Sequence, residues 1–193
     1  MGAIKEVRAK VQKGWSTTKA VVAYMCVWGL IFSLVTIGGL RAAIDYDDTL
    51  VFSGPAYAKA FASGAVPYSP AFWSVVNRNY DLEKPKIVAN VIAWTLRVFG
   101  FRITILTSRP PDDGEPLKKE WRHLASKFVF APGLGAKRAV LGQDTYVLYL
   151  ADSDADIRDG KLAHVTAKYV VAWKRGKGGW QLYRDIWNDN PAR

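Results

Sequence analysis

The chain has 193 residues and a formal net charge of +10; half of its residues are hydrophobic and 23% are charged. That is one domain's worth of chain and too apolar for extended disorder. One cysteine excludes a disulfide framework, and two histidines, His123 and His164, are too few and too far apart for a histidine-based zinc site. Positive charge is spread along the chain, with Lys174–Lys177 the densest stretch after residue 40, so nucleic acid is not expected as a partner.

Residues 1–19 form a basic segment with Lys5, Arg8, Lys10, Lys13 and Lys19 against one acid, Glu6. Residues 20–40 then run without a charge. At about 1.5 Å per residue, such a run as a helix matches the hydrocarbon thickness of a bilayer. The basic flank places the N-terminus on the cytoplasmic side. A cleaved signal peptide would have a shorter apolar core, and cutting at Ala42–Ala43 would remove the next strand. The expectation is an uncleaved single-pass helix in the inner membrane, with the C-terminal domain in the periplasm. A first strand this close to the helix is expected to rise steeply from the bilayer.

Past residue 40, apolar runs alternate with helical periodicity. Strands are expected at 40–44, 102–106, 128–130 and 146–150, with a last strand or pair at 165–173. Helices are expected at 84–99, starting at Pro85, at 115–127, and at 137–142. Strand–helix alternation means an α/β domain over 41–173 with a parallel sheet covered on both faces. Residues 52–82, rich in Pro, Gly, Ser and aromatics, fit no sheet element and read as a small cap insertion. Residues 174–193 form a Trp-containing basic tail.

The acidic residues gather where strands end. Asp45, Asp47 and Asp48 follow the first strand, and Asp152, Asp154 and Asp156 follow the one at 146–150. Ligands of open α/β sheets sit beyond the carboxyl ends of strands. Carboxylates meeting there need a proton or cation between them, and an oxygen-only set suits Mg²⁺. An EF-hand is excluded because Leu50 and Ala56 stand at loop positions six and twelve. Thr107, Ser108 and Arg109 end another strand, where a hydroxyl and a guanidinium suit phosphate oxygens. The glycines Gly133 and Gly135 lack the third glycine of a dinucleotide loop and the Gly-Lys-Ser/Thr of a P-loop.

The segments AIDYDDTLVFSGPAY, AFWSVVN, ITILTSRP and YLADSDADI, in that order, resemble the haloacid dehalogenase superfamily of phosphatases, most closely its class B acid phosphatases. The resemblance covers about residues 41–172. It implies a Rossmann-like core and Mg²⁺-dependent hydrolysis of small phosphomonoesters through an aspartyl-phosphate. Asp45 would be the nucleophile and Asp47 the general acid/base. Thr107, Arg109 and Lys137 would hold phosphate, and Tyr57 and Trp73 would line the substrate pocket. Asp45, Asp47, Asp152 and Asp156 would surround the metal. A second reading makes the chain an accessory subunit of a larger respiratory or photosynthetic membrane complex, with other membrane-protein subunits as partners and the phosphatase-like domain kept as an interaction module.

Overall fold

A computed structural model describes residues 14, 15, 17–31 and 39–170, together with the backbone of 172–176 and 179–183. The chain divides into two units, Met1–Gly38 and Gly39–Arg193. Within the first, residues 17–31 are helical (α1) and their side chains are exposed. Among the described residues, no helix is long and apolar enough to cross a membrane. The expected span at 20–40 lies partly outside them, since 32–38 are not described.

The second unit is an α/β domain. Its five-stranded sheet has the order β5-β4-β1-β6-β7, formed by Lys127–Phe130, Arg102–Thr107, Arg41–Asp45, Tyr146–Ala151 and Thr166–Tyr169, and every pair is parallel. β1 is buried between neighbours on both sides, which explains its near-continuous apolar run. One face of the sheet packs Ala42, Ile44, Ile103 and Ile105 against α4 (Ile87–Val98) and Leu117 of α5 (Glu115–Glu120). The other packs Ala43, Leu106 and Tyr149 against Leu141 of α6 (Ala136–Gly142) and Ile157 of α7 (Asp154–Leu162). On this second face α7 lies so close to the sheet that a Cβ on Gly160 would sit 2.7 Å from Ala167 Cβ. Only glycine permits that approach.

Register does the positioning. In the parallel ladder Asp45 pairs with Leu106, and Ile44 pairs with Leu150. Thr107 and Asp152 therefore emerge beside Asp45 at the carboxyl edge of the sheet.

Two expected helix boundaries are corrected, and the expected cap insertion takes a definite form. The insertion is mostly helical: α2 (Gly54–Ala62) and α3 (Pro70–Arg78) precede a 3-10 turn at Tyr80–Leu82. Each helix has a proline in its first turn, where a missing N–H costs nothing, so these prolines are helix starts. These helices enclose a small core of Ala56, Ala60, Phe72 and Val76. Next, Pro85 does not open α4. Lys84–Pro85 is a short strand, β3, antiparallel to β2 (Val51–Phe52). The Lys86 N–H then donates to Leu50 O at 2.9 Å, delaying the helix to Ile87. An edge strand tolerates proline because one side needs no donor. Finally, α5 stops at Glu120, and a 3-10 turn at Trp121–His123 follows. There Trp121 enters the core, and the Ser126 N–H bonds Ile103 O at 2.8 Å to start β5.

The last strand or pair expected at 165–173 divides between two sheets. β7 belongs to the main sheet, whereas β8 (Ala172–Gly176) and β9 (Gly179–Tyr183) form a separate antiparallel hairpin reaching into the basic tail.

Candidate active site

Just past Asp45 the chain makes a tight turn. Leu50 and Val51 N–H groups both donate to Tyr46 O, at 3.0 and 3.3 Å. Asp48 takes a positive φ of 53°, a conformation that aspartate adopts more readily than most residues. This turn returns Thr49 beneath Asp45, with Thr49 Oγ1 3.0 Å from Asp45 Oδ2 and 2.9 Å from Asp152 Oδ1. A hydroxyl has one proton and cannot donate to both carboxylates at once.

Asp156 comes from α7. Ser153 caps that helix by accepting the Asp156 N–H at 3.1 Å, and its own hydroxyl donates to Asp156 Oδ2 at 2.6 Å. Tyr149 OH donates to Asp156 Oδ1 at 3.0 Å. Lys137 enters from α6 and places Nζ 2.6 Å from Asp45 Oδ1 and 2.7 Å from Asp156 Oδ1. Asp45, Asp152 and Asp156 each offer a carboxylate oxygen, all within 4.8 Å of one another. With every group ionised, these three carboxylates and Lys137 carry a net charge of −2.

Burial holds the Asp45 carboxyl well above its ordinary value; Lys137 opposes that, while Asp156, Asp152 and Asp47 add to it. Burial likewise raises Asp152, against Thr49 and Lys86. For Lys137, burial favours the neutral amine, but Asp45 and Asp156 outweigh it and keep the ammonium charged. Among the described residues, the buried Asp152 Oδ2 has no hydrogen-bond partner. A carboxylate oxygen of this kind is costly unless a proton or cation meets it.

Asp47 lies in a second, adjoining cluster rather than among those three carboxylates. Its Oδ2 accepts from Thr107 Oγ1 at 2.6 Å, and its Oδ1 from Arg109 Nε and Nη2 at 2.9 and 2.6 Å. Thr107 Oγ1 also accepts the Arg109 N–H at 3.1 Å. Arg109 is completely buried. Its guanidinium lies over the rings of Tyr46 and Tyr57, at 5.1 and 5.4 Å, and is also paired with Glu83. Tyr46 OH donates to the same Glu83 carboxylate. Burial pushes Glu83 up to about 7, against the pull of Arg109. Burial also works against the Arg109 charge, but Asp47 and Glu83 overcome it and raise its value.

All nine expected site residues lie among the described residues. Asp45, Asp152, Asp156 and Lys137 meet in one cluster; Asp47, Thr107 and Arg109 meet in the other. Tyr57 faces Arg109 and packs edge-on against Trp73 at 5.9 Å. Trp73 belongs to the cap's aromatic group with Tyr68 and Phe72. Sequence reading did not assign Tyr46, Thr49, Glu83, Tyr149 or Ser153. The Ser153-to-Asp156 spacing is a readable capping signal; nothing local marks Glu83, which is placed by the antiparallel pairing of β3 with β2.

Comparison with protein-family models finds no match, and comparison with curated proteins finds none either. Solved structures do resemble the chain. A hydrolase from Streptococcus pneumoniae TIGR4 is 14% identical, with a TM-score of 0.47 over 66% of this chain and 90% of its own. A "predicted phosphatase" from Clostridium acetobutylicum is 11% identical, with a TM-score of 0.48 over 78% and 90%. A HAD-superfamily hydrolase from Geobacter sulfurreducens PCA is 14% identical, with a TM-score of 0.47 over 67% and 86%. These are likenesses of chain path, and the chemistry of the site stands on its own geometry.

Proposed function

We propose that the chain is a Mg²⁺-dependent phosphomonoesterase acting through an aspartyl-phosphate on Asp45. One observation carries this reading: three carboxylates on different elements converge within 4.8 Å, and one ammonium falls two charges short of neutralising them. Asp152 Oδ2, without a hydrogen-bond partner among the described residues, supports the same need. Asp45, Asp152 and Asp156 fit an oxygen-seeking divalent ion and would hold it. When bound, Mg²⁺ supplies charge neutralisation for the carboxylates and the phosphoryl oxygens.

The remaining chemistry belongs to the side chains. An Asp45 carboxylate oxygen attacks phosphorus, forming the acyl phosphate as the bond to the leaving alkoxide breaks. Asp47 gives that alkoxide its proton and later takes one from the water that hydrolyses the acyl phosphate. Lys137, beside Asp45 Oδ1, is the cation that faces the transferred group. Arg109 and Thr107 both hold Asp47, so they act as its positioning residues rather than as direct phosphate ligands. The class B acid phosphatase resemblance supports a small phosphomonoester as substrate.

Hydrolysis of p-nitrophenyl phosphate tests the reading. Activity is expected with Mg²⁺, and is expected to vanish with chelator and in Asp45→Asn. Turnover unaffected by either change overturns the mechanism. A folded wild type without activity transfers the weight to the accessory-subunit reading.

The uncharged run at 20–40 behind a basic flank supports a single-pass anchor in the inner membrane, with the domain from residue 41 in the periplasm. Protease added to intact spheroplasts is expected to digest that domain; full protection until lysis reverses the topology.

A further inference from the structure

Helix α4 is apolar on both sides. Ala89 and Ala93 are buried, and Ile92 and Leu96 pack on the same core. Ile87, Val91, Trp94 and Val98 follow the i, i+4, i+7, i+11 spacing of a second stripe, and Phe99 extends it. These five side chains are between 44% and 74% exposed. With Pro85 they line a groove of about 560 Å³. Monomeric soluble proteins rarely leave so continuous an apolar ridge in water.

The charge around the ridge identifies its partner. Between Lys84 and Pro111 the sequence contains no acidic residue. Lys84, Arg97 and Arg102 are exposed there, and Lys127 and Arg122 are exposed on the segment next to it, where Arg97 Nη1 donates to Ser126 Oγ at 3.2 Å and Trp94 stacks on His123 at 5.8 Å. A second copy of the chain docked on this ridge would bring the same cations against one another. An anionic lipid surface complements both features, taking apolar side chains below the headgroups and cations among them. The ridge also ends where the chain enters the domain, since the Arg102 N–H donates to Leu40 O at 3.0 Å. Leu40 is the last residue of the uncharged run.

We propose that α4 is a membrane-surface contact, lying in the headgroup layer of an anionic bilayer through Ile87, Val91, Trp94, Val98 and Phe99. At 12 residues it is too short to span. This lays β1 along the bilayer, the reverse of the steep rise expected from the short link at 38–41. The inference stands independently of the phosphatase reading.

The test uses the full chain with Cys26→Ser, carrying one new cysteine for a spin label: Val91→Cys, Val98→Cys or, on the opposite face of the sheet, Ala139→Cys. In vesicles of phosphatidylglycerol and phosphatidylcholine, labels at 91 and 98 are expected to collide with oxygen in preference to a water-soluble nickel complex. The label at 139 is expected to show the reverse preference. Phosphatidylcholine alone, or high salt, is expected to move position 91 toward the aqueous pattern. An aqueous pattern at 91 and 98 in anionic vesicles overturns the proposal. So does equal shielding of both labels in detergent accompanied by spin–spin broadening, which assigns the ridge to a second copy.

Discussion

Glu83 grips Arg109 from the far side of Asp47. The guanidinium is shared between the two carboxylates, with Nη2 bound to both, and no part of its side chain reaches solvent. Glu83 stands at the end of the helical insertion and Arg109 just beyond β4, so this contact fastens the cap to the sheet at the side chain that aims Asp47. Asn77 of α3 reinforces it by donating to the carbonyls of Pro110 and Asp112, at 3.0 and 2.7 Å.

That arrangement predicts a pH effect on stability. Glu83 holds its proton up to about pH 7 in the fold against an ordinary value of 4.5. Between those limits the native state binds more protons than the unfolded chain, so this group's contribution falls as pH rises. One such group gives a slope of at most about 1.4 kcal/mol per pH unit. Urea unfolding of wild type and Glu83→Gln at saturating Mg²⁺ is expected to show the stability difference changing across pH 4.5–7 and becoming constant above it. A pH-independent difference refutes the burial argument.

Metal binding is readable without turnover. A ligand bound only by the folded state at a hundred times its dissociation constant adds about 2.7 kcal/mol. Melting temperature is expected to rise with Mg²⁺ and saturate, and Asp152→Asn is expected to remove most of the rise. An equal rise in the variant places the ion elsewhere.

Lys137 is ion-paired with two buried acids, Asp45 and Asp156, and removing the one cation of such a set leaves their charge uncompensated. Lys137→Met is expected to lose activity and about 3–5 kcal/mol of stability. Part of that stability is expected to return at low pH, where the carboxylates are protonated. Urea titrations at two pH values check both effects; a loss unchanged at low pH contradicts the electrostatic origin.

The close approach of α7 to β7 makes a steric prediction. Gly160→Ala puts a methyl group 2.7 Å from Ala167 Cβ and 3.0 Å from Tyr149 Cδ1. The expected cost is about 1–3 kcal/mol from overpacking. Ala167→Gly in the same chain is expected to recover much of it, measured by thermal or urea unfolding. Because Tyr149 also holds Asp156, activity is expected to fall with the single change and return with the double.

Most strands of the sheet and the acids at its edge were legible in local sequence patterns. Apolar runs and helical spacing are local signals, and a carboxylate placed directly after a buried strand is exposed to view in the sequence as Asp45 and Asp152 are. Proline-rich chain at 52–82 was ambiguous, because proline opens helices as readily as it interrupts them. Tertiary structure alone decided how charges are shared. Arg109 shares its guanidinium between Asp47 and Glu83, and the antiparallel β2–β3 pair delivers Glu83 to it across 26 residues of sequence. Lys137 lies 92 residues from Asp45 yet meets it at 2.6 Å because α6 and β1 border the same sheet edge. Such pairings depend on which buried charges have no water to turn to, and that is settled only when the core closes around them.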